Sequence, residues 1–335
     1  MPAELQARVH AEVLRTRERS GWPAQRTLRA LGVSRTSYYR WRRVSGRTST
    51  ESKPSVPVQV YEALPEEKSA VLRYACEHPE VRHRELSWRM VDADVAYLSS
   101  STVYRILRES RLVSPWRRRT KRRRELIEQA QRANERWATD LMYLRIGSGW
   151  YYLVAFLDEY SRYLVHWELL PHMDGASVSL AAQAALETLP RDADGRPLLR
   201  PEIRSDNGSC YLAKEFRAVL VEHELTHQRI TPHCPEENGL MERANRTLRD
   251  ALDGEEFCDY HSAQRTLTRI VRWYNEERLH QALGYLRPMD YYRGDPERLR
   301  TQRRAKLVQA RHRRREKNLQ LRQLTLPLAT EDSIP

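Results

Sequence analysis

The chain has 335 residues, enough for two or three domains at about 100–200 residues each; it is 40% hydrophobic and 31% charged, with 58 Lys+Arg against 45 Asp+Glu and a net charge of +13. Its four cysteines (Cys76, Cys210, Cys234, Cys258) form no CxxC pair, which argues against a structural zinc site and against a disulfide scaffold. No apolar run reaches the ~18 residues of a bilayer-spanning helix and the N-terminus has no apolar signal stretch, so a soluble, cytoplasmic protein without a membrane partner is expected.

The charge is unevenly spread. Residues 1–125 hold 27 Lys/Arg and 14 Asp/Glu, residues 126–296 hold 20 and 27, and residues 297–335 hold 11 and 4. Basic ends around an acidic middle predict arms for a polyanion flanking a core that concentrates carboxylates, against the plainer alternative of a solvated basic surface.

In chain order, residues 1–45 predict a helix-turn-helix unit. A helix over 24–31 is stopped by Gly32, Ser34 caps the next, and Leu28, Leu31, Val33, Tyr38 and Trp41 close a small core. Arg35, Arg40, Arg42 and Arg43 then face outward, where phosphates and base edges of DNA lie. Residues 46–66, rich in Ser, Thr and Pro, read as a linker. Residues 67–113 predict a second such unit with helices at 67–77, 83–92 and 100–110. The last is capped by Ser100 or Ser101 and carries Arg105 and Arg108 opposite Val103, Ile106 and Leu107. The linker 114–134 follows. Its Arg117, Arg118, Arg119, Lys121, Arg122, Arg123 and Arg124 either form a solvated spacer or track a phosphate backbone, and the position before an enzyme-like core favours the second.

The core spans 135–296. Strand-like runs at 136–146, 150–160 and 162–170 are joined by short turns and predict an antiparallel meander. A helix (175–189), a strand (202–206), a helix (213–223), a strand (226–230) and helices at 236–253 and 259–280 complete an α/β order with a mixed sheet and helices on its faces. The tail 297–335 is basic and helical in propensity, ends in a disordered-looking LPLATEDSIP, and reads equally as a DNA arm or a protein contact.

Three acids stand in unusual places. Asp140 interrupts the strand WATDLMYL, where an acid is disfavoured. Asp206 ends a strand and runs into Asn207-Gly208. Glu242 lies on a helix after the loop carrying Pro232 and Pro235. Brought together, three hard oxygen donors suit Mg²⁺, which keeps positions open for water and phosphate. Two such ions about 3.5–4 Å apart support in-line phosphodiester displacement. Asp158, in LDEYSR, is the nearest other acid and reads as a turn cap beside Ser161 and Arg162.

These acids resemble the DDE triad of retroviral integrases and related transposases, with 35 residues between Asp206 and Glu242. The pieces WATDLMYL, FLDEYSRYLVHWEL, IRSDNGS, TPHCPEENGLMERANRTLRDAL and WYNEERLHQALGYLRPMDYY resemble the OrfB-type transposases of the insertion sequence 3 family. LGVSRTSYYRWRR and SSTVYRILRESRLV are similar to that family's N-terminal region. The resemblance implies a ribonuclease H-like, integrase-type five-stranded sheet preceded by all-α helix-turn-helix units. It implies two Mg²⁺ held by Asp140, Asp206 and Glu242, with Mn²⁺ as a substitute. It places Arg249 on a DNA phosphate, with a surface ion pair to Asp253 as the alternative. Asn207, Asn238 and Asn245 would orient DNA or the acids, although Asn207 serves the Asn-Gly turn equally well, and His233 either approaches the substrate or is a plain loop histidine.

The activity so implied is nicking of element ends and joining of the 3′-hydroxyl to another strand, in a bacterial, nucleoid-associated setting. The partners are double-stranded DNA (element ends and target), further copies of the chain, at least a dimer because two ends are processed together, and a first-frame OrfA-type protein or fusion. The rival readings are a ribonuclease H-like nuclease, a non-catalytic DNA-binding regulator and, more remotely, a recombinase with a Ser or Tyr nucleophile.

Overall fold

The sheet grows from a hairpin. In the computed structural model, which describes residues 3–45, 59–113, 130–195, 197–231 and 235–325, β1 (Arg136–Ile146) turns back into β2 (Gly149–Asp158). Gly147 makes that reversal at φ +55°, a conformation that suits a residue without Cβ. The antiparallel register runs from Trp137↔Asp158 to Ile146↔Gly149. β3 (Leu164–Leu170) adds antiparallel to β2. The tight connection between them is tied by Asp158, whose carboxylate accepts from Asn134 N at 2.8 Å, Ser161 N at 2.8 Å and the Ser161 hydroxyl. Asp158 is thus the turn cap its sequence context predicts.

Helix α7 (Gly175–Glu187), capped by Asp174 on Ser177 N at 2.7 Å, then crosses to the opposite side of β1. A Cβ on Gly175 would lie 2.2 Å from the Ala213 Cβ, so this close approach requires glycine. β4 (Glu202–Ser205) pairs parallel with β1, and β5 (His227–Arg229) parallel with β4, giving the order β3-β2-β1-β4-β5. Helices α8 (Ser209–Leu212) and α9 (Lys214–Glu222) link the two parallel strands. A 3-10 turn (Pro235–Asn238) leads into α10 (Gly239–Leu252), followed by α11 (Tyr260–Glu276). This is the mixed five-stranded sheet of a ribonuclease H-like fold.

Strand alternation decides what each residue meets. Ala138 and Met142 face α10 and α11, packing with Met241, Ala244, Leu248, Leu267 and Ile270. Trp137 and Ile203 face α7 and α9, packing with Val178, Ala181, Phe216 and Val219. The three-layer arrangement is clipped by Asn275 near the end of α11, whose Oδ1 accepts from Leu164 N at 2.9 Å and whose Nδ2 donates to Leu164 O at 3.0 Å. Asn275→Leu would leave both backbone groups buried and unsatisfied. We expect a loss of about 3 kcal/mol, read as a lower urea midpoint at unchanged m-value.

The chain divides into two compact units, residues 1–62 with 317–335, and residues 63–316. In the first, α1 (Ala3–Ser20) joins α2 (Ala24–Ala30) and α3 (Arg35–Ser45) around Val13, Leu28 and Tyr38. Gly32 stops α2 at φ +64° and the Ser34 hydroxyl accepts from Ser37 N at 3.1 Å, as expected. Leu31 is exposed, not core, because α1 covers the other side of the pair. In the second unit, α4 (Pro65–Glu77), α5 (His83–Asp92) and α6 (Ser100–Glu109) enclose Val71, Leu86, Met90, Val103 and Ile106. Ser99, one residue before the expected cap, accepts from Thr102 N. After α12 (Pro288–Tyr292), the long α13 (Pro296–Thr325) runs from the core along α5 and α4. There Arg303 holds Asp92 (Nε to Oδ1 2.8 Å) and Arg314 holds Glu67 (Nε to Oε2 2.9 Å). These contacts give part of the basic tail an intramolecular role. No helix among the described residues is long and apolar enough to cross a membrane.

Candidate active site

Asp140 is placed by parity. Two residues beyond Ala138 and two before Met142 on β1, it shares their face and points toward α10. Its Oδ1 accepts from Leu141 N at 2.9 Å and its Oδ2 from Asn245 Nδ2, on α10, at 3.0 Å. Asp206 follows from register. The parallel pairs Arg136↔Glu202 and Ala138↔Arg204, continued by two residues, bring Asp206 opposite Asp140, where adjacent strands are about 4.8 Å apart. The Asp206 carboxylate accepts from Gly208 N at 2.9 Å. A Cβ on Gly208 would sit 2.9 Å from that same oxygen, so a side chain here would push the Asp206 carboxylate aside. Glu242 lies in the first turn of α10, exposed, one turn before Asn245.

The other two acids act on Asp140. Burial, aided by the Asp206 and Glu242 carboxylates, pushes Asp140 up to about 6, while hydrogen bonds from Leu141 and Asn245 oppose the rise. Among the described residues no group of three or more His, Cys, Asp or Glu side chains stands close enough to hold a metal ion, and Asp206 and Glu242 reach Asp140 as neighbouring charges. As a donor type, carboxylate oxygens suit a hard divalent cation held by few protein ligands and completed by water and phosphate oxygens.

The other sequence-predicted residues divide. Asn245 reaches the cluster through Asp140. Asn207 does not: its Nδ2 donates to Ile230 O at 3.0 Å, bracing the end of β4 against the segment after β5. Asn238 is buried directly before α10. Arg249, two turns after Glu242 on α10, is exposed and makes no ion pair with Asp253 among the described residues. In α3, Arg35 lies over the Tyr39 ring at 5.8 Å, and the side chains of Arg40, Arg42 and Arg43 fall outside the described residues. Arg105 and Arg108 are exposed on α6, Arg105 donating to Thr102 Oγ1 at 3.2 Å. His233 and the basic stretch from Arg117 to Arg124 also lie outside the described residues.

One feature escapes the sequence reading. Arg204, two residues before Asp206 and 5% exposed, donates through Nη1 to Glu159 Oε1 at 2.8 Å and through Nε and Nη2 to Gln228 Oε1 at 3.0 and 2.7 Å. It ties β4 to β5 and to the end of β2 just below the acids. The only local signal was a cation inside the short strand EIRS.

Two family models, each described as "Integrase core domain", match residues 130–235 and 223–288. Transposase InsF for insertion sequence IS3A of Escherichia coli (strain K12) is 29% identical over 171 residues, 50% of this chain and 57% of InsF; the chain thus spans little more than half the length of that relative. The InsD protein of insertion element IS2E, from the same organism, is 29% identical over 202 residues, 58% of this chain and 92% of InsD. Among solved structures, a simian T-cell lymphotropic virus intasome in complex with PP2A regulatory subunit B56 gamma aligns with 67% of this chain and 74% of its own (17% identity, TM-score 0.44). The HTLV-2 integrase catalytic core domain in complex with magnesium aligns with 48% and 98% (16% identity, TM-score 0.37). The strand order and register described above carry the fold assignment, and the matches in sequence make residues 130–288 similar to the integrase core domain and the chain similar, over about half its length, to transposases of insertion sequences.

Proposed function

We propose that the chain is a DNA transposase that nicks the ends of its element and joins each 3′-hydroxyl to another strand by transesterification. The observation that supports this best is the placement of Asp140 opposite Asp206, on the sheet face covered by the helix that bears Glu242. In this reading Asp140, Asp206 and Glu242 hold two Mg²⁺, replaceable by Mn²⁺. When bound, the metal supplies charge neutralisation at the scissile phosphate and lowers the pKa of the attacking oxygen.

The chain's own groups do the positioning. Leu141 N–H and Asn245 Nδ2 fix both oxygens of Asp140, and Gly208 N–H fixes one oxygen of Asp206. Arg249 binds a backbone phosphate beside the scissile bond. In the first step the P–O3′ bond breaks as a water oxygen bonds to phosphorus. In the second, the freed 3′-oxygen forms a bond to the target phosphorus and the target's own 3′-oxygen leaves. Neither step forms a protein–DNA bond, so tyrosines such as Tyr143 and Tyr211 are not nucleophiles. Arg35, Arg105 and Arg108 contact duplex DNA. Two or more copies act together, with an OrfA-type protein as partner or fusion.

The test is a labelled duplex carrying the element's own end, incubated with the protein in Mg²⁺, Mn²⁺ or EDTA. Joined products in either metal and none in EDTA are expected. Nicking without joining would favour a nuclease or an absent OrfA-type protein. Binding without any metal-dependent cutting would favour a regulator.

A further inference from the structure

Away from the carboxylates, on the same side of the sheet, two buried polar atoms meet no acceptor or donor among the described residues: Arg278 Nη1 and His280 Nε2. Both residues lie just past α11. The backbone there is fixed, with His280 N donating to Leu286 O at 2.9 Å and Tyr285 N to His280 O at 2.8 Å around a 3-10 turn (Gln281–Leu283). His280 is 8% exposed. Its ring meets Tyr274 edge-on at 5.2 Å, and the Arg278 guanidinium lies 5.7 Å from the same tyrosine ring. Burial, then Arg278, Arg162 and Arg243, drive the imidazole down to about 3, so it is neutral.

The surrounding charges do not balance. Arg162, Arg243 and Arg278 bear on this histidine, and the nearby acids are engaged elsewhere. Glu159 is held by Arg204 at 2.8 Å, Asp158 by its own turn, and Glu85 by Arg89 at 2.8 Å. Buried donors without acceptors cost roughly 1–3 kcal/mol each, and they are rare unless something else fills the place. Arg243, near enough for its charge to act on His280, is exposed on α10 directly after Glu242 and sets the solvent-facing side of this group. Guanidinium groups beside a neutral imidazole that can donate suit a phosphate group, whose oxygens take several charge-assisted bonds at once.

We propose that Arg243, Arg278 and His280 form a subsite for a backbone phosphate of DNA, separate from the scissile phosphate and beside the Glu242 end of α10. That the phosphate belongs to DNA rests on the transposase reading; that an anion binds here does not.

Two measurements on the full chain without divalent metal test this. In the first, the melting temperature is read in inorganic phosphate and in chloride at matched ionic strength. Phosphate should raise it in the wild type and not in Arg278→Gln or Arg243→Gln. In the second, binding of a short labelled duplex is followed across a sodium chloride series. Each variant should weaken binding about 3- to 10-fold and lower the slope of log Kd against log salt by about 1, with Arg278→Lys retaining most of the affinity. Should Arg278→Gln fail to fold, the exposed Arg243→Gln decides alone.

Unchanged salt slopes together with an equal phosphate effect in wild type and variants would overturn the subsite, leaving Arg278 and His280 as structural groups served by buried water. A phosphate effect lost in the variants, with normal duplex binding, would make free phosphate the ligand and overturn the DNA assignment. Wild-type protein that shows the phosphate effect but neither cuts nor joins element ends in Mg²⁺ or Mn²⁺ would sink the transposase reading and leave the anion site standing.

Discussion

Glu242→Gln should abolish strand joining in Mg²⁺, by at least about 10³-fold, while duplex binding stays within about threefold of wild type. The side chain is exposed in the first turn of α10, so the isosteric amide disturbs no packing and no hydrogen bond on which the fold depends. What it removes is one of three anionic oxygen donors. Under the proposed function Asp206→Asn should fall by a similar factor, and the double variant should fall little further, because residues that act as a unit are not additive. Arg249→Ala removes a phosphate contact at an exposed position and should cost about tenfold, mostly as weaker DNA binding. The assay is the end-joining reaction followed by product length, with binding measured separately by fluorescence anisotropy. Joining retained by Glu242→Gln would exclude the proposed triad.

Part of the candidate site was legible before the fold because two of its acids stand at marked positions. Asp140 sits mid-strand where an apolar or β-branched residue belongs, and Asp206 precedes an Asn-Gly turn. Period-two alternation places Asp140 on one face, and the element order predicts that the first and fourth strands can be neighbours. The register that brings Asp206 level with Asp140 depends on tertiary pairing and is visible only in the structure. Asn207 shows the same limit. Its position beside Asp206 suits a role at the site, but its amide reaches Ile230, 23 residues away in sequence. The Arg204 bridge to Glu159 and Gln228 was hidden for a related reason: a cation in a strand announces burial only when its partner is known, and both partners lie on other elements. Helix α1 left a weak trace because its charges alternate and, among its described side chains, only Val13 becomes fully buried against α2 and α3. The tail's role as a brace could not be read either. Its arginines look alike in sequence, and only the structure distinguishes buried Arg303 and Arg314 from the exposed Arg311 and Arg315.

Asp140→Asn should inactivate the protein and at the same time make the metal-free chain more stable at neutral pH. In the folded chain the Asp140 carboxyl rises from 3.8 to about 6, first through burial and then through the Asp206 and Glu242 carboxylates. A raised acid favours the folded state when protonated. Its contribution is therefore complete below about pH 3.8 and is lost as pH rises through about 6, so at pH 7 the ionised group opposes folding by roughly 3 kcal/mol at most. The amide removes that cost and keeps the side-chain shape. It still accepts from Leu141 N, and a flip of the Asn245 amide turns the Asn245 Oδ1, which has no partner among the described residues, onto the new N–H₂ group. In EDTA at pH 7 the variant should melt several degrees higher than wild type, about 2–4 °C for each kcal/mol gained in a chain of this size. The difference should shrink as the pH is lowered from 7 to 5, where wild-type Asp140 takes up its proton. The same protonation competes with metal, so the Mg²⁺ concentration needed for half-maximal joining by wild type should rise as pH falls below about 6. A variant that melts lower than wild type in EDTA at pH 7, or a gap that widens toward pH 5, would mean that the ionised carboxylate stabilises the fold, and that the repulsion among the three acids is already relieved within the chain.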